Sequence, residues 1–134
     1  MTSSLLPSTQ SGHLPYFLLY ASISALIHSA VTYTNPVAAL KQFSGASAPA
    51  KTPLLAHLYG IKNVYTGLIR VYAAYNINNR PVYDLATATF VGVLFLYITE
   101  CFWFKTVGLR EATFPFVTAG VGLVWMVHER GAYV

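Results

Sequence analysis

Apolar residues come in four long runs along the chain, separated by polar links that carry proline and glycine. The first run, Leu14 to Thr34 (LPYFLLYASISALIHSAVTYT), holds no formal charge. A helix needs about 20 apolar residues to cross roughly 30 Å of hydrocarbon, and this run has that length. Pro15 suits a first helical turn, and Asn35-Pro36 stops the helix. Residues 35–53 are the longest link, with Pro36, Gly45, Pro49 and Pro53. The link has room for an amphipathic turn over Val37–Phe43 and is the best-placed segment to face a partner. The third run, Val82 to Phe104, is strongly apolar and meets Glu100 near its end. The fourth, Ala112 to Val127, is short at its core and extends backward through Val107-Gly108-Leu109. Trp103, Trp125, Tyr133 and the Tyr16/Tyr20 pair read as interfacial aromatics.

The second run, Leu54 to Tyr75, is the most polar, with His57, Lys62, Asn63 and Arg70. A charge at membrane depth costs about 2.5–3.5 kcal/mol on insertion scales. Such a helix is therefore expected to be shielded by its neighbours. At about 100° per residue, Ala56, Tyr59, Gly60, Asn63, Thr66, Gly67, Arg70 and Ala74 fall on one side. That side is small and polar, as helix packing or partner binding in lipid requires. Leu54, Leu58, Ile61 and Leu68 face the other way, and Lys62 lies off the polar stripe. The short NINNRP turn, Asn76 to Pro81, makes the second and third helices antiparallel neighbours.

The expected architecture is all-α: an integral membrane four-helix bundle with short loops. Its helices cover about 14–34, 54–75, 82–104 and 108–127. A flexible tail covers 1–13 and a C-terminal tail 129–134. Strands are excluded, because the runs are about twice the roughly 10 residues of a membrane strand and do not alternate.

Composition supports lipid as the solvent. Of 134 residues, 55% are hydrophobic and only 9% charged, against about 25% charged in a soluble domain. The net charge is +4, but the basic residues form no run, so no nucleic-acid surface is expected. The single Cys101 excludes an internal disulfide. The first twelve residues carry no Lys or Arg, so an uncleaved signal anchor is expected rather than a cleaved signal peptide. Lys41, Lys51, Lys105 and Arg110 in two links outnumber Arg80 and Arg130 opposite, which favours those links facing the cytosol.

Helical rise places intramembrane polar groups in depth. Arg70 is about five residues before the NINNRP turn and Glu100 about eighteen after it, so they stand roughly 20 Å apart along the normal. Arg70 is closest in depth to Asp84, and Glu100 to His57, with Lys62 in reach. These five are expected to pair and hold the second and third helices together. His28 and His57 lack the spacing of dense metal ligation, so no metal or other cofactor is expected. No phosphate loop, GxSxG or acid/base pair is present, which leaves few candidates for catalysis. Four helices and one membrane carboxylate, Glu100, also allow a small proton-coupled transporter.

The stretch AHLYGIKNVYTGLIRVYAAYNINN, followed by ITECFWFKT, resembles the ergosterol biosynthetic protein 28 family in its fungal form. LPYFLLYASISALIHS and FPFVTAGVGLVWM are similar to that family's first and fourth helices. The resemblance covers roughly residues 13–128. The matching positions are Ala56, Gly60, Ile69, Arg70, Ala74, Ile77, Asn79 and Glu100. His57-Leu58-Tyr59 stands where other members have Arg-Thr-Phe. The resemblance implies a non-catalytic, multi-pass scaffold of the endoplasmic reticulum membrane in ergosterol biosynthesis. The implied partners are sterol C-4 methyl oxidase, sterol C-3 dehydrogenase/decarboxylase, 3-keto sterol reductase and, in fungi, sterol C-24 methyltransferase. Membrane lipid and a second copy of the chain are further candidate partners.

Overall fold

The computed structural model describes residues 5–10 and 12–134. All the regular structure among them is helical. The elements are α1 (Leu14–Thr34), the short α2 (Pro36–Ala39), α3 (Pro53–Tyr75), α4 (Arg80–Ile98) and α5 (Thr113–Tyr133). A π-helical turn, Thr99–Trp103, prolongs α4.

The helix starts follow local chemistry. Proline stands at one of the first two positions of every helix except α5, where a missing N–H costs nothing. The side chains of Asn35, Thr52 and Asn79 each accept a hydrogen bond from a first-turn amide, satisfying donors that a helix start leaves open. α4 ends differently. The amide of Phe104 donates to Thr99 O at 2.8 Å, and those of Thr106 and Val107 donate to Glu100 O. Lys105, at φ 59°, turns the chain there.

The four long helices alternate in direction. α1 packs along α3, α4 along α5, and α3 meets α4. At one end the two long links join: the amides of Gly45 and Ser47 donate to Thr106 O and Lys105 O. At the other end Asn78 Nδ2 donates to Tyr133 O and Arg80 to Val134 O. An apolar core fills the terminal end around Leu14, Leu18, Tyr83, Phe90 and Met126. A smaller cluster, Tyr97, Val107 and Ala112, lies under the links.

Two segments are long and apolar enough to cross a membrane, Leu14–Thr34 and the continuous helix Arg80–Trp103. The polar groups of α3, and His128, Glu129 and Arg130 in α5, lower the hydropathy of the other two. The expected bundle of four membrane helices is therefore established here as four long helices, two of which meet that measure.

Several boundaries differ from expectation. The fourth helix begins at Thr113 instead of 108, and it continues to Tyr133, so residues 129–133 are its last turns and not a tail. Residues 104–112 are held instead by bonds to the other link, including that from Gly108 N to Gln42 O. The expected N-terminal tail falls partly on residues 1–4 and 11, which lie outside the described residues. Of the rest, Leu5 O accepts from Tyr75 Oη at 2.6 Å. Tyr133 and Trp125 point inward, Tyr133 against Tyr83 and Trp125 against Phe17.

Candidate functional site

The small-residue face of α3 meets a matching face of α1. Ser22 and Ser29, seven residues apart on α1, donate to Gly67 O and Gly60 O, seven apart on α3. A Cβ at Gly60 would run into the Thr32 side chain, so glycine is needed for this approach. Ala56, Gly60, Asn63, Gly67, Arg70 and Ala74 are all buried. Gly60 and Gly67 of this face hold α1 on α3, while Arg70 of the same face turns to Thr89 of α4. Tyr59 and Thr66, expected on the same face, are partly buried and border a cavity.

The five polar groups expected to pair find other partners. Arg70 does not pair with Asp84. Its Nε donates to Thr89 Oγ1 at 3.0 Å, and its guanidinium lies over the Phe90 ring, 4.1 Å from the centroid. Asp84 faces α5 and takes a two-pronged bond from Arg130, both contacts 2.8 Å. The helical extension to Tyr133 brings Arg130 there. Glu100 binds neither His57 nor Lys62; it accepts from Thr106 Oγ1 at 2.6 Å within the turn that follows it. His57 stacks on Tyr33 at 4.1 Å. Lys62 sits over the Tyr59 ring, 4.4 Å from its centroid. Depth arithmetic predicted height along the bundle but not azimuth, and these pairings turn on azimuth.

α1 and α3 form one half of the molecule and α4 and α5 the other. Between the halves, above the terminal core and below the link cluster, lies a cavity of about 770 Å³. α3 contributes Tyr59, Lys62, Asn63, Thr66 and Arg70 to its wall. His28 of α1 enters the same wall, its Nδ1 2.9 Å from Asn63 Nδ2. Tyr59 and Tyr97 close one side, their hydroxyls 2.6 Å apart. Lys41 and Arg110 come from the two links, and Glu111, which accepts from Ser44 at 2.7 Å, is the one carboxylate of the lining. Phe114, Val117 and Ala119 of α5 supply an apolar wall. Sequence reasoning missed the cavity and the contribution of Lys41, Gln42 and Arg110 to it. The signal that pointed there was Lys62, a charge off the packed stripe. Glu100, Asp84 and His57 lie outside the lining.

The helix order and this buried-cation interior can be set beside known proteins. The model of the Erg28 family, described as Erg28 like protein, matches residues 14–124. The chain belongs to the Erg28 family. Among curated members, the ergosterol biosynthetic protein 28 of Candida albicans is 32% identical, with 98% of this chain and 95% of that protein covered. The ergosterol biosynthetic protein 28 of Gibberella zeae is 30% identical over 92% of this chain and 91% of its own length. That of Saccharomyces cerevisiae is 27% identical, covering 98% and 90%. No solved structure matches. These Erg28 relatives are named for a biosynthetic route and not for a reaction. The Erg28 match runs through all four long helices, so it includes every wall of the cavity.

Proposed function

We propose that this protein is a non-catalytic scaffold of ergosterol biosynthesis that crosses the endoplasmic reticulum membrane four times. In this reading it tethers sterol C-4 methyl oxidase, sterol C-3 dehydrogenase/decarboxylase and 3-keto sterol reductase, and it also contacts sterol C-24 methyltransferase. Membership of the Erg28 family over nearly the whole chain carries the proposal. The surface adds support. Large apolar side chains are exposed on all four long helices, among them Ile27, Leu58, Phe95 and Val124. On α3 the exposed set Leu54, Leu58, Ile61, Tyr65, Leu68 and Tyr72 repeats at alternating steps of four and three. Such a stripe suits lipid or a neighbouring membrane helix. In this reading the outward stripe of α3 is a face that meets partners. Sterol intermediates partition into the bilayer, so holding successive enzymes together raises their effective concentration without new chemistry.

A proton-coupled transporter working through Glu100 draws no support from the geometry. The carboxylate serves the turn after α4 and does not line the cavity.

A tagged chain pulled from a mild detergent extract and analysed by mass spectrometry should bring down the three sterol C-4 demethylation enzymes. Loss of the gene should make C-4 methylated sterols accumulate. Recovery of none of these enzymes would sink the scaffold reading.

A further inference from the structure

The cavity between the helix pairs has an unusual charge balance. Lys41, Lys62, Arg70 and Arg110 line it against a single carboxylate, Glu111. Arg70 is the most telling of them. It is only 6% exposed, yet it has no carboxylate within salt-bridge distance among the described residues. Among the described residues only its Nε makes a hydrogen bond to the protein. No fully buried side-chain nitrogen among the described residues lacks a partner. Neither terminal nitrogen is fully buried, and Arg70 lines the cavity. Lys62 stands eight residues earlier on α3, about 12 Å along the axis, and lines the same space. Lys62 also lines a second void of about 270 Å³ with Thr66 and Val93, so the region around it is open on two sides.

Keeping a cation away from water is costly unless an anion or hydrogen-bond acceptors compensate it. Here the fold buries Arg70 and half-buries Lys62, and among the described residues neither has a carboxylate partner. Opposite them is an apolar wall of Val93, Phe114, Val117 and Ala119. Phe114 and Val117 line the cavity and stay exposed, and α1 touches α5 only sparsely. The cavity thus has an apolar side gate between α1 and α5. Its volume lies within the roughly 300–1,000 Å³ of small-molecule sites, which are mainly apolar with a few placed polar groups.

We propose that this cavity binds a lipophilic anion, with its carboxylate or phosphate between Arg70 and Lys62 and its apolar body against α5. The anion supplies the charge that the fold omits, and the apolar body enters through the α1–α5 gap. Two sources share this chemistry, a steroid carboxylic acid and an anionic membrane lipid. The binding goes beyond the tethering role and stands without it, since no sterol enzyme takes part.

Native mass spectrometry of the full chain, released from neutral detergent, tests the site. The probes are 5β-cholanic acid, its methyl ester and dioleoyl phosphatidic acid. At least one anionic probe should bind saturably, and cholanic acid, if it binds, at least tenfold more tightly than its neutral ester. Arg70→Met should weaken that binding at least tenfold, and Arg70→Lys, which keeps the charge, by no more than about threefold. Should Arg70→Met fail to fold by circular dichroism, Lys62→Met takes its place with the same expected loss. Binding of cholanic acid alone identifies a steroid acid as the occupant; binding of phosphatidic acid alone identifies a membrane lipid. Equal binding of acid and ester, no saturable binding of either anion, or unchanged binding in the charge-removing variant overturns the proposal.

Discussion

Gly60 and Gly120 look alike in the sequence, since both are glycines within apolar helices. Their surroundings differ. A Cβ on Gly60 would collide with Thr32, whereas one on Gly120 would meet nothing within 4 Å. Gly60→Ala should therefore cost about 1–3 kcal/mol through overpacking. Gly120→Ala should be neutral or stabilise by up to about 1 kcal/mol, since it only removes helix-unfavourable freedom. Thermal unfolding in one detergent compares the two directly; equal losses would contradict the α1–α3 contact. Gly122 resembles Gly60, with the Phe90 ring 2.6 Å from its added Cβ. Gly60 and Gly67 mark a close approach of α3 to α1 and Gly122 one of α5 to α4, whereas Gly120 marks none. The same scale explains the fate of the charges. Arg70, Lys62 and Asp84 were recognised as groups needing partners, because a charge in an apolar run always does. Which partner each takes depends on positions far along the chain, and helical periodicity carries no such information.

At the scale of elements, α1 and α3 are joined by two serine-to-carbonyl bonds and a close backbone approach. Hydrogen bonds between membrane helices average only about 0.6 kcal/mol, because the separated helices also find partners. Ser22→Ala and Ser29→Ala should each cost about that much, well below Gly60→Ala. Such an order, read as melting shifts, would mean that shape rather than hydrogen bonding holds the pair; a serine loss as large as the glycine loss would reverse the conclusion. The ends of α4 and α5 follow a different logic. Hydropathy alone ended the fourth helix near Val127, because His128-Glu129-Arg130 is polar. Helix formation tolerates polar residues that can reach partners, and Arg130 reaches Asp84 one helix away. The helix therefore outlasts its apolar stretch.

At the scale of the whole molecule, the two long links meet at one end and the C-terminus meets the Asn78–Arg80 turn at the other. In the proposed four-crossing arrangement, single cysteines at Ser47 and Arg110 should label from one side of the membrane and one at Asn78 from the opposite side. All three positions are exposed. A Cys101→Ser background removes the native thiol, the only cysteine of the chain. Labelling of all three from one side would refute the arrangement and move α3 and its cations out of the bilayer. The cavity belongs to this scale as well. It exists because two well-packed helix pairs meet loosely between two apolar clusters, and no single element contains it.

The number and order of the long helices, the all-α class and the small face of α3 were legible from residue order alone. They depend on local properties: run length, a period near 3.6, and the backbone preferences of proline and asparagine. The family was legible for a similar reason, since its marks lie in contiguous stretches along those helices. Only the tertiary structure decided that Gly60 and Gly67 of the small face pack on α1, that Asp84 belongs to Arg130, and that Arg70 and Lys62 line a common space. Those outcomes depend on how helices are rotated and spaced about one another. Rotation and spacing arise from packing between segments dozens of residues apart, where one sequence pattern is compatible with several partners.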